Sequence, residues 1–461
     1  MGIYRVDPLF ADSTYAILAG WLCLVVSLFL AFRRPACNAF LNLTLVGIGG
    51  APIIAGYTYG RLTAFVGLLT LLALQLRRRS SGAIHFKALA RTPLSWYGGI
   101  CLVIFAKILA ETMIYGLDLS RRMNLTSGLT EVLFPVSVLL LSVMKAGPES
   151  TARDVLIGMI VFPLLMIAGY LPFAFREGLI AAAWLGESRF TIGAADTINS
   201  ARVLAYGAIA SLVYFSLPRK SVRSLVLAFL ALLFLGFTML VLLTGNRQFL
   251  LALLCALLLW AFFLKPSGLT HLLTSVVVFI GLAALLYNVL TQSDLSVKGR
   301  ISGSAMTAEV SMERGPIWAD AYKDALRHPV LGTGFKNFGD EVESEVPDTG
   351  EIITLRDSAH GVLQDVFTEN GVILGVLFLL GCMELIWCSM RAIWLQKSPC
   401  CENALALVFL AMLPPLLFSG GFLNAMPIYG LLVLASVQYV RRRQVRTKRV
   451  EIATLRATAK G

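Results

Sequence analysis

The feature that most limits the fold of this chain is a series of apolar runs that repeats along nearly its whole length. Thirteen runs can be counted in the 461 residues, and two of them are short. A helix needs about 20 apolar residues to cross the hydrocarbon core of a bilayer, whereas a membrane β-barrel shows short alternating segments. Only 14% of the residues are charged, well below the roughly 25% of soluble domains. We therefore expect an all-α polytopic membrane protein with 12 or 13 transmembrane helices.

The net charge of +12 comes from basic clusters at the ends of these runs. Cytoplasmic loops of membrane proteins carry an excess of lysine and arginine, so the clusters indicate orientation rather than binding to nucleic acid. Those placed in the cytoplasm are Arg33-Arg34, Arg77-Arg78-Arg79, Arg219-Lys220 and the tail Arg441–Arg449. The intervals 173–197 and 292–370, together with the junction before Arg247, then lie on the outer side.

The chain divides into four parts on this basis. Residues 1–291 hold the first ten apolar runs, 292–370 form the one long polar interval, 371–440 hold the last runs, and 441–461 form a basic cytoplasmic tail. We expect the polar interval to be a loop domain with short helices on the outer face. Any chemistry should occur where this loop meets the membrane.

The first predicted helix of the loop lies between two prolines. Pro316 suits the first turn of a helix, and Pro329 lies just beyond its end. At helical spacing, one face carries Trp318, Tyr322, Ala325 and Leu326. Such a face should pack against the membrane or a neighbouring helix.

A second helix is predicted at the end of the loop, with Ser358 as its N-cap. Its end at Asn370-Gly371 is followed at once by an apolar run. Its apolar stripe consists of Val362, Leu363, Val366 and Phe367. A polar stripe repeats every four residues at His360, Gln364 and Thr368.

His360 is the sharpest candidate for chemistry among the four histidines. It combines an outer-face position with a predicted helix start, and the carboxylates of Asp357, Asp365 and Glu369 lie close in the chain. A histidine titrates near neutral pH and can accept a proton from a hydroxyl. An interfacial histidine that only hydrogen-bonds to the loop fits the same pattern, and both interpretations stay open.

Three arginines, Arg189, Arg247 and Arg314, fall on the outer side, where the positive-inside rule disfavours them. A diphosphate substrate would explain them, because guanidinium groups bind phosphate oxygens in a bidentate fork. Anchoring to lipid head groups or pairing with acidic residues of the loop is the alternative for each one.

Two further features bear on the chemistry. Lys107 and Glu111 are spaced i, i+4 inside an apolar run. Ionisable groups at membrane depth are often functional, but we favour a structural pair that neutralises itself. The eight cysteines form no Cys-x-x-Cys pair, the outer loops contain no Asp-x-Asp pair, and no nucleotide-binding loop is present. We expect neither a metal nor a cofactor, so the energy must come from a pre-activated substrate, or from a gradient if the protein is a transporter.

The outer-face motifs resemble a known family in their order along the chain. They begin with Ser188-Arg189-Phe190-Thr191, Thr244-Gly245-Asn246-Arg247 and Arg314-Gly315-Pro316-Ile317-Trp318. They continue with the run from His328-Pro329 through Gly332-Thr333-Gly334 to Phe338, then Ser358-Ala359-His360-Gly361, and Glu369-Asn370-Gly371. This order is similar to the O-antigen ligase and O-antigen polymerase superfamily. The family commonly has Asn where Gly361 stands, and small residues where Asn246 and Gln248 stand.

The resemblance implies a metal-independent, inverting glycosyltransferase of the GT-C type in the bacterial inner membrane, with its site facing the periplasm. The donor would be a glycan on undecaprenyl diphosphate. By carry-over, Arg189, Arg247 and Arg314 would bind the diphosphate and His360 would act as general base. Gln364, Asp365 and Glu369 are possible supporting residues.

The resemblance leaves three functions open. A ligase would transfer the glycan to a lipid A–core acceptor, whereas a polymerase would use a second lipid-linked oligosaccharide. A transporter of lipid-linked glycans is the alternative from another class, but the sequence shows no inverted repeat of the kind such proteins carry. Membrane lipids are the remaining expected partners; the sequence does not indicate the oligomeric state.

Overall fold

The structure is a computed structural model. It describes residues 14–41, 59–77, 86–114, 125, 132–185, 190–192, 197–217, 224–263, 315–335, 341–345, 352–356, 361–395, 399–418 and 425–458. The statements below concern these residues.

Helices account for most of the described chain. The first half contains α1 (Thr14–Arg33), a 3₁₀ helix (Pro35–Phe40), α2 (Tyr59–Leu76), α3 (Phe86–Leu89), α4 (Ser95–Ile114), α5 (Phe134–Ala146), α6 (Pro148–Arg176) and α7 (Leu179–Leu185). The second half contains α8 (Thr197–Phe215), α9 (Ser224–Leu243), α10 (Arg247–Phe263), α11 (Gly315–Arg327), β1 (Glu341–Glu345), β2 (Ile352–Arg356), α12 (Val362–Leu395), α13 (Cys401–Ala411), α14 (Leu413–Phe418) and α15 (Met426–Thr458).

The expected fold class is confirmed: this is an α-helical polytopic membrane protein. Five described helices are long and apolar enough to cross a membrane: Ser95–Ile114, Pro148–Arg176, Ile198–Phe215, Leu225–Leu243 and Val362–Leu395. Five shorter apolar helices accompany them: Leu18–Arg33, Phe65–Leu76, Phe134–Ala146, Arg247–Ala261 and Cys401–Leu416. The predicted runs near 40–57 and 271–291 lie almost entirely outside the described residues.

Two helices form the centre of the bundle. All eleven residues of α13 are buried, and α8 is buried along most of its length. Both are rich in alanine, which lets neighbouring backbones approach closely in a membrane bundle. By contrast, α9 exposes Leu225, Phe229 and Leu232. We infer that α9 lies at the periphery and contacts lipid.

Charged side chains meet where several helices end, and we call this the basic end. Arg34 and Arg153 approach Asp154 at 3.6 and 3.8 Å. Arg441 of α15 pairs with Glu402 at the start of α13. Arg34 and Arg441 belong to two of the basic clusters in the sequence, and their cytoplasmic placement stays a prediction. We call the opposite end, where α9 passes into α10 and where α12 begins, the loop end.

The polar interval is predicted to be a loop with short helices, and the structure adds a β-hairpin to it. Strands β1 and β2 pair antiparallel, with Glu341 opposite Arg356 and Glu345 opposite Ile352. The hairpin follows α11 and precedes α12. Its first strand reads Glu-Val-Glu-Ser-Glu, which looks like a solvated acidic loop, so the sequence alone did not indicate pairing.

Two details of the predicted loop helices are wrong. In α11 the buried residues are Ala321 and Ala325, whereas Leu326 is 70% exposed, so the packed face is rotated from the predicted stripe. The second helix begins at Val362, with Gly361 outside it. A cap at Ser358 would start the helix earlier. Ser358 itself lies outside the described residues.

The close contact between α6 and the 3₁₀ helix yields a test of the packing. A Cβ atom on Gly158 would lie 2.3 Å from the backbone oxygen of Cys37. We expect Gly158→Ala to destabilise the protein by about 1–3 kcal/mol, because overpacking forces backbone shifts. The measurement is the midpoint of thermal denaturation of the purified protein in detergent.

Gly236→Ala is the matched control, because Gly236 also lies in a long apolar helix and has nothing within 4 Å of the added atom. Its midpoint should stay unchanged or rise, since alanine restricts the unfolded chain. Equal midpoints for the two variants would contradict the contact.

Candidate functional site

The site is built around a break in α12. Gly371 has φ +82° and ψ 170°, so the helix stops and restarts there. A break of this kind frees backbone carbonyl groups in the preceding turn. Irregular backbone at membrane depth is tolerated only where other protein groups satisfy it. The predicted helix end at Asn370-Gly371 is therefore confirmed, and its carbonyl groups need partners from elsewhere.

The segment after α11 provides those partners. The backbone N–H of Thr333 donates to the carbonyl of Thr368 at 2.8 Å, and the Thr333 hydroxyl donates to the same oxygen at 3.2 Å. The N–H of Gly334 donates to the carbonyl of Glu369 at 3.3 Å. The N–H of Ile373 donates to the carbonyl of Pro329 at 3.4 Å. The segment Gly332-Thr333-Gly334 and the motif Glu369-Asn370-Gly371 are thus joined backbone to backbone, although the bonded residues are 35 or more positions apart in sequence.

Glycine is required on both sides of this contact. Gly332 has φ +70°, and a Cβ atom there would lie 2.4 Å from the carbonyl carbon of Glu369. A Cβ atom on Gly371 would lie 2.6 Å from the carbonyl oxygen of Pro329. Both positions combine a left-handed backbone with close backbone approach, which other residues do not tolerate.

Lys107 and Glu111 of α4 complete the contact. Their side chains form an ion pair of 2.7 Å, as predicted. The Lys107 ammonium also donates to the carbonyl of Glu369 at 2.7 Å. The Glu111 carboxylate accepts from the N–H of Phe335 at 2.7 Å. The pair is structural, as we favoured, but it also fixes both motifs to α4.

We call this assembly the kink junction: Pro329–Phe335, Thr368–Gly371, and the side chains of Lys107 and Glu111. It joins α4, the end of α11 and α12. Sequence reasoning missed the role of Thr333, although the glycines on either side of it marked a tight backbone segment.

The first segment of α12 is buried on its polar side as well as its apolar side. Residues that are less than a tenth exposed include Gln364, Asp365, Thr368, Glu369 and Asn370. Buried polar atoms are nearly always hydrogen-bonded. Yet the side-chain amide oxygen of Gln364 and both side-chain amide atoms of Asn370, the oxygen and the nitrogen, have no hydrogen-bond partner in the part of the chain that the structure describes. Sequence reasoning placed Asn370 at the helix end and gave it no role in the site.

Aromatic contacts place α11 against α12 and the end of α14. The ring of Tyr322 lies 6.0 Å from that of Phe367 on α12. The ring of Trp318 lies 6.1 Å from that of Phe418. The carbonyl of Phe418 accepts a hydrogen bond of 3.4 Å from the amide of Gln248, the residue after Arg247.

Arg247 is the first residue of α10, and its neighbours determine its position. The side-chain oxygen of Asn246 accepts from the N–H of Gln248 at 3.2 Å, which is an N-cap interaction. The hydroxyl of Thr244 accepts from the N–H of Asn246 at 3.3 Å. The two residues that depart from the family pattern, Asn246 and Gln248, therefore cap the helix and tie it to Phe418.

The segment that follows Arg189 lies at the same turn. The N–H of Phe190 donates to the carbonyl of Leu243 at 3.1 Å. The Phe190 ring is buried, 5.9 Å from the ring of Tyr170. This contact fixes the start of the segment beside the turn from α9 into α10.

The predicted site residues divide into two groups. His360, Arg189 and Arg314 lie outside the described residues. Arg247 is described and partly exposed at the loop end, whereas Gln364, Asp365 and Glu369 are buried in α12. The described chain neighbours of the first group are Phe190, Gly315 and Gly361. All three belong to segments at the loop end.

An apolar cavity of about 550 Å³ begins at the first turn of α12. It is lined by α10, α12, α13, α14 and α15, including Val362, Leu363, Cys255, Leu259 and Met383. Its walls are almost entirely hydrocarbon and thioether. An apolar chain fits this lining better than a sugar.

Comparison with known proteins agrees with the resemblance. Residues 230–379, about a third of the 461-residue chain, match the family described as O-antigen ligase. The match covers the turn before Arg247, the whole loop and the kink junction apart from Lys107 and Glu111. No curated protein matches the chain. The family match supports glycan transfer of the ligase or polymerase type.

The kink junction predicts an unusual cost for a small substitution. We expect Gly371→Ala to lower the denaturation midpoint strongly, because it adds about 1–2 kcal/mol of left-handed strain to a backbone clash of about 1–3 kcal/mol. Gly178→Ala is the matched control, because Gly178 has φ +68° with nothing within 4 Å of the added atom. Its denaturation midpoint should fall only by the amount that the left-handed strain causes. If the control loses as much stability as Gly371→Ala, the contact with Pro329 contributes nothing.

Proposed function

We propose, from the O-antigen ligase match over residues 230–379, that this protein is a ligase-type glycosyltransferase of the bacterial inner membrane. It would move a glycan from undecaprenyl diphosphate to a lipid A–core acceptor at the periplasmic face, without a metal. The observation that carries the proposal is the kink junction. It joins the two most specific motifs of the resemblance, at the end of the bundle where Arg247 begins α10.

The arrangement of the described neighbours supports a shared diphosphate site. Arg247 begins α10 on a capped turn. Phe190, the residue after Arg189, hydrogen-bonds to Leu243, the last residue of α9 before that turn. Trp318, four residues after Arg314, reaches the same region through Phe418. Several guanidinium groups at one place suit a diphosphate, whose charge grows as it leaves.

The apolar cavity supports a polyprenyl donor. It lies along α12 and α10 below the loop end, so a lipid tail held there would bring its diphosphate toward Arg247 and the start of α12. The sugars would then extend into the aqueous phase. The donor is already activated, which agrees with the lack of a nucleotide-binding motif in the sequence.

In the proposed reaction, the oxygen of an acceptor hydroxyl attacks the anomeric carbon of the donor. The bond from that carbon to the diphosphate oxygen breaks, and its electron pair leaves with the diphosphate. His360 takes the hydroxyl proton as general base, and Arg189, Arg247 and Arg314 stabilise the leaving charge. A single displacement inverts the configuration. Gln364, Asp365 and Glu369 would position the groups around His360.

The decisive experiment uses purified protein in vesicles with a lipid-linked glycan donor and purified lipid A–core. Transfer to lipid A–core supports the ligase. Extension of the donor glycan without lipid A–core would instead identify a polymerase. Passage of the donor across the bilayer, with no change in glycan length or attachment, would identify a transporter.

His360→Ala should abolish transfer in this assay while leaving expression and the denaturation midpoint unchanged. The reason is that the proposed role of the imidazole is to take the proton of the acceptor hydroxyl. His85→Ala is the matched control, because the sequence places His85 in a cytoplasmic loop, and it should retain wild-type rates. Full activity of His360→Ala would remove this residue as the base.

Arg314→Lys should lose most of the transfer activity although it keeps its charge, because lysine cannot form the bidentate contact to phosphate. Arg327→Lys serves as control, since Arg327 is exposed and pairs with Asp324 at 3.2 Å at the other end of α11. Wild-type rates for Arg314→Lys would mean that charge alone is sufficient at this position.

A further inference from the structure

A second, larger cavity lies at the basic end, far from the kink junction. It has a volume of about 930 Å³ and is bounded by the start of α4, the last third of α12 and α15. Its lining includes Arg391, Arg442, Arg443, Glu384, Trp387 and Tyr439. Nothing in the proposed glycan transfer uses this cavity.

The charge in this basic pocket is not balanced. Arg391 and Arg442 both line it, together with the carboxylate of Glu384, which accepts a hydrogen bond of 3.0 Å from the indole of Trp96. Neither Arg391 nor Arg442 forms an ion pair with any other described residue. Other arginines at the basic end do form ion pairs, as Arg34 does with Asp154. The pocket therefore attracts an anion.

We propose that the basic pocket binds the head group of an anionic glycerophospholipid, with its phosphate between Arg391 and Arg442. Guanidinium groups bind phosphate oxygens in pairs of parallel hydrogen bonds. Basic pockets between transmembrane helices on the cytoplasmic side are suited to anionic head groups. The two arginines come from different helices, α12 and α15, and line the same cavity.

The walls of the pocket favour a lipid over a soluble phosphate. Trp387 is 67% exposed and Tyr439 40% exposed, and both line the pocket. Exposed tryptophan and tyrosine are typical of the membrane interface. Two turns above Trp387, Leu380 is 51% exposed and continues the lipid-facing side of α12. Acyl chains would lie along this side of α12 while the head group occupies the pocket. A free phosphate would not contact this apolar side.

The test measures the denaturation midpoint of the full-length protein in detergent during titration with defined lipids. Phosphatidylglycerol should stabilise the wild type saturably, and phosphatidylcholine should not. The double variant Arg391→Gln/Arg442→Gln should bind phosphatidylglycerol more weakly, by about fivefold for each arginine removed. The control is Arg33→Gln, because Arg33 lies at the same end over the ring of Phe29, outside the pocket. It should keep the wild-type affinity.

Two outcomes would overturn the proposal. If Arg33→Gln weakens the response as much as the double variant, the basic end attracts lipid diffusely and has no site. If glycerol 3-phosphate stabilises the protein as well as phosphatidylglycerol, the ligand is a soluble phosphate.

If the double glutamine variant fails to fold, Arg391→Lys/Arg442→Lys takes its place. It keeps the charge but loses the bidentate geometry, so it should still bind phosphatidylglycerol more weakly than the wild type. Unchanged affinity in this variant would contradict a phosphate bridged by the two guanidinium groups.

Discussion

Lys107 donates a hydrogen bond to the carbonyl of Glu369, one of the backbone groups left without a helical partner by the break in α12. The rest of the loop end depends on this break. Unpaired backbone groups are not tolerated in hydrocarbon. The break therefore exists only because Thr333, Gly334 and Lys107 all donate to the carbonyls beside it. The break also allows the first segment of α12 to run in a different direction from the second segment. Three distant parts of the chain are thereby held to one geometry.

This geometry explains why a polar helix face can be buried at the loop end. The segment from Val362 to Asn370 is packed by α11 on one side and lies over the apolar cavity on the other. Its amide and carboxylate groups are taken out of water before any substrate arrives. Groups held in this way need little rearrangement when charge develops nearby. The proposed transfer needs such preorganised groups, because its site faces both a lipid carrier and an aqueous acceptor.

Much of this arrangement follows from local patterns. The prolines at 316 and 329 bracket α11, Asn370-Gly371 ends a helical segment, and the i, i+4 spacing of Lys107 and Glu111 produces an ion pair. These are local rules, and the structure follows them. What the sequence could not predict is which remote groups meet. Nothing local indicates that Thr333 bonds to Thr368, that Glu111 bonds to Phe335, or that Leu326 turns outward, because each depends on the neighbour that packs there.

For the candidate site, the sequence indicated the region and not the surroundings of the side chains. The motif order identified the loop and the start of α12, and the family match covers the same region. The buried state of Gln364, Asp365 and Glu369 was not predictable, because a polar stripe beside an apolar one normally indicates a solvated face. His360, Arg189 and Arg314 lie outside the described residues and remain predictions.

The two charges on α4 also bear on the order in which the chain is made. Because synthesis proceeds from the N-terminus, α4 enters the bilayer while Phe335 and Glu369 are still untranslated. A lone ammonium or carboxylate would oppose that insertion. Because Lys107 and Glu111 are one helical turn apart, they can form their ion pair within α4 before the later segments are made. When the loop and α12 emerge, the same two side chains become the anchor on which the last third of the protein closes.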